Sequence, residues 1–154
     1  MAVFVADEQT DADVDTERLR ELTAFVLADQ GVPPAMEVSV LCVDTEAITA
    51  LNRTHMGSDG PTDVLAFPLD QPGETSHGEV AILGDVVLCP AVADRQAGEH
   101  GKSPQAEMDL LVVHGLLHLL GHDHAEEGEK AVMFGLTDRL LAGFAEAGTT
   151  GATS

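Results

Sequence analysis

The sequence predicts an α+β fold (α/β-like): a small mixed β-sheet of about four strands with helices packed around it. Three observations carry this. The apolar patterns run in the order β-α-β-α-β-β-α-α-α, which suits one layer of sheet covered by helices. The stretch 108–120 is apolar almost all round and reads as a central buried helix. Hydrophobic residues make up 44% of the 154, yet there is no Trp or Tyr and only five Phe, so the core must be aliphatic. No repeat, linker or second composition zone divides the chain. The expectation is one domain over 1–147 and a disordered tail at 148–154.

Residues 2–6 are apolar and β-leaning, a first strand, and 7–15 are acidic and turn-like. A helix over about 16–30 has an apolar stripe of Leu19, Leu22, Phe25 and Val26, and Gly31 with Pro33 and Pro34 ends it. Residues 36–43 alternate and are Val-rich, a second strand. Asp44 can cap a short helix over about 45–55 whose inner face holds Ile48 and Leu51. Residues 56–61 are a turn cluster, and 64–67 a short strand stopped by Pro68.

Residues 70–79 are polar and read as a mobile loop. The next strand, 80–89, is interrupted at Gly84-Asp85. Pro90 suits the first position of a helix running to about His100, and Ser103-Pro104 opens the central helix in the same way. The last helix, about 126–145, presents Val132, Met133, Leu136, Leu140 and Phe144.

The net charge is −20, from 27 acids against seven Lys and Arg. Such a surface repels nucleic acid, or serves solubility in a salt-rich cytoplasm where charges are screened. No apolar run reaches the roughly 18 residues of a membrane span, so no membrane partner is expected. The N-terminus has neither a basic n-region nor an apolar h-region, and the expected location is cytoplasmic. Cys42 and Cys89 read as small buried hydrophobes, not as a disulfide or a ligand pair.

The chemistry concentrates in 114–124, where four of the seven histidines lie. His114 and His118 are four apart, about 40° around a helix axis, so both rings share one face. Gly121 can end the helix in a left-handed conformation, and His124 returns from the turn beyond. The frame is H-x-x-x-H-x-x-G-x-x-H, three imidazoles able to converge on one metal ion. Three protein ligands leave an open position for water, the catalytic pattern, and the ion then lowers the water's pKa and polarises a carbonyl or phosphoryl oxygen. His122 is a fourth ligand, a proton shuttle or a solvated turn residue. Asp123 accepts the outer N–H of a ligand histidine or caps the next helix. These two are the candidate catalytic side chains beside the metal-bound water. Zinc peptidases carry Glu in the second position of H-E-x-x-H as general base; here that position is Gly115.

The run His114-Gly115-x-Leu117-His118-Leu119-Leu120-Gly121-x-Asp123-His124 resembles the signature of the YbeY endoribonucleases, or rRNA maturation factors. The resemblance extends to Gly60-Pro61-Thr62-Asp63-Val64-Leu65-Ala66-Phe67-Pro68, to Leu83-Gly84-Asp85-Val86-Val87-Leu88-Cys89, and to Glu129-Lys130-Ala131 with Met133-Phe134. The quoted blocks run from Gly60 to Phe134 in the family's order, and the resemblance covers most of the chain from about residue 38 to 140.

The resemblance implies a metal-dependent endoribonuclease acting on single-stranded RNA, in 3′-end maturation of small-subunit (16S) rRNA and in ribosome quality control. It implies one Zn2+ held by His114, His118 and His124 with an open coordination position. The implied partners are rRNA and the small subunit or its assembly proteins. Two positions depart from the pattern. Many relatives carry Arg, thought to hold RNA phosphate, immediately before the glycine at position 57, where this chain has Met56. His122 stands where relatives often have Tyr. The alternatives are a non-catalytic zinc-binding ribosome-assembly factor, and a metal-dependent hydrolase of another substrate such as a peptide.

Overall fold

Val38, Val40 and Cys42 alternate with Glu37, Ser39 and Leu41, and strand β2 (Glu37–Cys42) buries the first set. In the computed structural model, which describes residues 2–70, 81–122 and 126–153 and side chains to 147, β2 lies inside a four-stranded sheet. The order is β1 (Ala2–Asp7), β2, β4 (Ile82–Leu88), β3 (Val64–Pro68). β1, β2 and β4 run parallel, and β3 is antiparallel to β4 at the edge. The mixed sheet and its helices give the expected α+β fold.

The helices are α1 (Thr16–Asp29), α2 (Thr45–Leu51), α3 (Pro90–His100), α4 (Pro104–Leu119) and α5 (Glu127–Thr153). One sheet face carries the main core, where Leu19, Leu22 and Val26 of α1 meet Val40, Val86 and the apolar residues of α4. The second face carries a smaller cluster around Ile48, Leu65, Val87 and Val92. α4 packs against α1, α3, α5, β3 and β4, as its uniformly apolar sequence requires. The caps are those the sequence indicated: Ala47 N donates to Asp44 Oδ1 at 2.8 Å, and Ala106 N to Ser103 Oγ at 3.1 Å. Both cysteines are buried and unbridged.

Four expectations change. The helix after Asp44 stops at Leu51 and continues as a π-helical turn, Asn52–Met56, because Gly57 takes a left-handed φ of 67° and buried Asn52 reaches Gly60 O at 3.1 Å. β4 is not broken at Gly84-Asp85. Glu37 pairs with Ile82 and Val38 with Gly84, so Leu83 is the extra residue of a bulge. Gly84 absorbs it at φ 150°, and a Cβ there would run into Phe67 O. Val132, expected on the inner face of α5, is 62% exposed, while Met133 and Leu140 are buried. The backbone of α5 also runs past 145 to Thr153, since its hydrogen bonds are local and no Pro interrupts them. The loop expected at 70–79 falls, but for Asp70, outside the described residues.

Candidate active site

From 111 to 119, every residue of α4 is buried except His114 and His118. Two imidazoles one turn apart thus open out of an otherwise apolar helix on a single face. The helix reaches this position because Gly115, between them, has no side chain. A Cβ there would stand 2.7 Å from Val86 Cγ1 and 3.3 Å from Val64 Cγ2. Contact at Gly115 lets α4 approach β3 and β4, and it leaves no room for the Glu of a zinc peptidase.

Below the two histidines lies a cavity of about 300 Å³. Its walls include His114, Gly115 and His118 from α4, and Thr62, Asp63 and Val64 at the start of β3. His114 Nε2 is buried, and its ring meets Phe134 of α5 at 5.3 Å between centroids, tilted by 38°. The ammonium of Lys130 sits over the same Phe134 ring, 5.5 Å from its centroid.

The helix ends as its sequence directs. Gly121, at φ 97°, donates to His118 O at 3.0 Å, and His122 N donates to Leu117 O at 3.0 Å, a Schellman closure. His122 therefore has its backbone fixed by the cap, while its side chain borders a second, open cavity of about 580 Å³ with Gly121, Gly128 and Glu129. Asp123 and His124 lie outside the described residues. Among the described residues no group of three or more His, Cys, Asp or Glu is placed to hold a metal ion. His114 and His118 are the two members of the expected trio that fall within them.

Asp63 is the functional candidate that sequence reasoning passed over. Its Oδ1 accepts from Val64 N at 2.7 Å and from Thr62 Oγ1 at 3.3 Å. Its carbonyl accepts from Cys89 N at 2.9 Å, tying it to the end of β4. Asp63 lies inside the Gly60–Pro68 block of the family resemblance, but nothing in that block singles it out; its place at the head of a strand lining the histidines' cavity does.

Positive charge is scarce. Among the described residues Arg18 pairs with Asp109, Arg20 with Glu17, Arg53 with Asp59 and Arg139 with Asp29. Met56, at the end of the π-helical turn, is 49% exposed and brings no charge there.

The family model described as Endoribonuclease YbeY matches residues 4–145. An Endoribonuclease YbeY from Thermobifida fusca is 50% identical over 94% of each chain. One from Cutibacterium acnes is 49% identical over 82% of this chain and 83% of the relative. One from Parafrankia sp. is 46% identical over 99% of this chain and all of the relative. In architecture the chain is similar to the solution structure of TM1509 from Thermotoga maritima, with TM-score 0.63, 26% identity, and coverage of 97% and 93%. A match over nearly the whole chain, together with relatives covered almost end to end, establishes that this chain belongs to the YbeY endoribonuclease family.

Proposed function

We propose that the chain is a metal-dependent endoribonuclease that cuts single-stranded RNA and trims the 3′ end of small-subunit rRNA in the cytoplasm, alongside small-subunit assembly proteins. The observation that carries this reading is the pair His114 and His118, which open from buried α4 into the cavity at the head of β3, in a chain of this family.

The donor set fits a borderline-soft ion such as zinc: two imidazoles on one helical face, the Nε2 of His114 buried, with His124 as the expected third ligand. A bound ion with an open position would supply Lewis-acid stabilisation of phosphoryl charge and a more acidic water. The chain's own residues do the rest. Phe134 backs the His114 ring. Gly115 keeps the floor narrow and excludes the side chain that peptide hydrolysis in an H-E-x-x-H frame needs. RNA nearing a surface of net charge −20 requires a local cation, and Lys130 is the one stacked behind the site.

The test is cleavage of matched single- and double-stranded RNA by zinc-loaded protein, with zinc content measured on the same sample. Wild type cuts the single strand, while His114→Ala and His118→Ala lose both zinc and cleavage. A His114→Ala protein that cuts at the wild-type rate sinks the proposal. A non-catalytic assembly role is favoured by one feature, the exposed Met56 in place of a cation, and wild-type protein that binds zinc yet cuts no RNA would support it.

A further inference from the structure

RNA cleavage needs a group to take the proton from the attacking hydroxyl, and neither histidine is free for that task if both hold metal. We propose that Asp63 is the general base of the reaction, with Oδ2 as the proton acceptor. This assignment rests on the endoribonuclease reading above.

Three features carry it. Asp63 lines the same cavity as His114 and His118, from the β3 wall opposite α4. Its position is rigid: the main chain is held by Cys89 N at 2.9 Å, and Val64 opens β3 directly after it. The carboxylate is oriented, because Oδ1 takes the Val64 N–H at 2.7 Å and the Thr62 hydroxyl at 3.3 Å. Among the described residues none donates to Oδ2. One oxygen is thus an anchor and the other is available to an incoming hydroxyl. The bland reading, in which Asp63 only caps the start of the strand, uses Oδ1 alone.

The step balances without a further reagent. The O–H bond of the nucleophile, water or a ribose 2′-OH, breaks and its proton passes to Oδ2. The nucleophile's oxygen bonds to phosphorus, the opposite P–O bond breaks, and the departing alkoxide takes a proton from solvent. An acceptor poised in this way contributes about 100- to 10,000-fold to a rate.

Asp63→Asn separates the two readings, since the amide oxygen keeps the Val64 and Thr62 contacts while the proton acceptor is lost. Zinc-loaded wild type and D63N are compared on single-stranded RNA under single turnover, with zinc stoichiometry and thermal melting measured in parallel. The expected result is a saturating rate constant at least 100-fold lower, half-saturation unchanged or tighter because a negative charge has left the RNA site, and zinc and melting as in wild type. A rate within tenfold of wild type overturns the assignment, and so does a fall that tracks lost zinc. Wild type that cuts no RNA overturns the nuclease reading itself, and this assignment with it. Should D63N not fold, D63A with added formate decides: restored cleavage supports the assignment, and none overturns it.

Discussion

Gly115 of α4 rests directly on Val86 of β4, so closely that a single added methyl carbon would stand 2.7 Å from Val86 Cγ1. The central helix therefore meets the sheet at the one position between its two site histidines where the side chain is missing. Gly115→Ala must move the helix or the strand. Overpacking of this kind costs about 1–3 kcal/mol, and here the shift falls on His114 and His118 themselves. Urea unfolding is expected to show that loss, with zinc affinity falling in step. Unchanged stability would mean that the contact is soft.

Gly121 answers to a different constraint. Nothing lies within 4 Å of a Cβ built there, but its φ of 97° belongs to glycine. Gly121→Ala is thus a backbone change without a packing change, costing about 1–2 kcal/mol. Because the Schellman closure sets where the chain leaves α4, zinc binding is expected to weaken even where the melting loss is small. Isothermal titration of the variant with zinc, beside its melting curve, separates the two effects.

Much of this arrangement was legible in the sequence, and the parts that were not share a physical cause. Apolar patterning and turn or cap residues together located the strands and α-helices of the described residues, with periodicity clearest in α1 and β2. Ser103, Asp44 and Gly121 announced caps because few residue types satisfy orphaned helix ends. The bulge at Leu83 reads as a break in sequence, since a glycine inside a strand signals both. Val132 reads as inward in sequence because residues 132 and 133 are both apolar, and only the partner surface decides which is buried. The histidine spacing was visible because it is local. The role of Asp63 was not, because it depends on β3 and α4, about fifty residues apart, forming the two walls of one cavity.

Arg18 and Asp109 join the first and central helices. The guanidinium donates to Asp109 through Nε at 3.3 and 3.2 Å and through Nη2 at 2.7 Å, and it also lies over the Phe144 ring at 5.4 Å. Asp109 is buried, whereas Arg18 is 41% exposed, so solvent screens part of the pair. Arg18→Met strands the buried carboxylate with Gln105 as its remaining donor. A loss of about 2 kcal/mol is expected, below the 3–5 of a fully buried pair. The double variant with Asp109→Asn should recover part of it, and a double-mutant cycle reads the coupling directly.

Burial pushes the Cys42 thiol up to about 12, with Asp7 and Cys89 adding to the shift. The unfolded thiol ionises near 8.5. Between these values the unfolded chain has released a proton that the native state keeps, so stability falls as pH rises through that window and is fully retained below it. Cys42→Val is expected to flatten this alkaline slope. Native protein should also resist iodoacetamide at neutral pH at Cys42 and react once denatured. Rapid labelling of the native protein would contradict the burial.

Lys130 tests how an acidic protein holds RNA. Its ammonium lies 5.5 Å from the centroid of Phe134, and Phe134 meets His114 at 5.3 Å, so the cation is stacked behind the histidine face. Among the described residues it has no carboxylate partner, unlike Arg18, Arg20, Arg53 and Arg139. An exposed cation of this kind is open to phosphate, and Met56 at the end of the π-helical turn brings no charge of its own. Lys130→Met keeps the apolar stem against Phe134 and removes only the charge. RNA affinity is expected to fall, and the slope of log affinity against log salt to drop by about 1, the mark of one lost phosphate contact. Lys130→Arg should retain both. Zinc binding and melting should not change, because the contact with the ring survives. A Lys130→Met protein with the wild-type salt slope would place the phosphate contact elsewhere, with Arg53 next to be tried, since its pair with Asp59 is a 3.4 Å contact between exposed side chains.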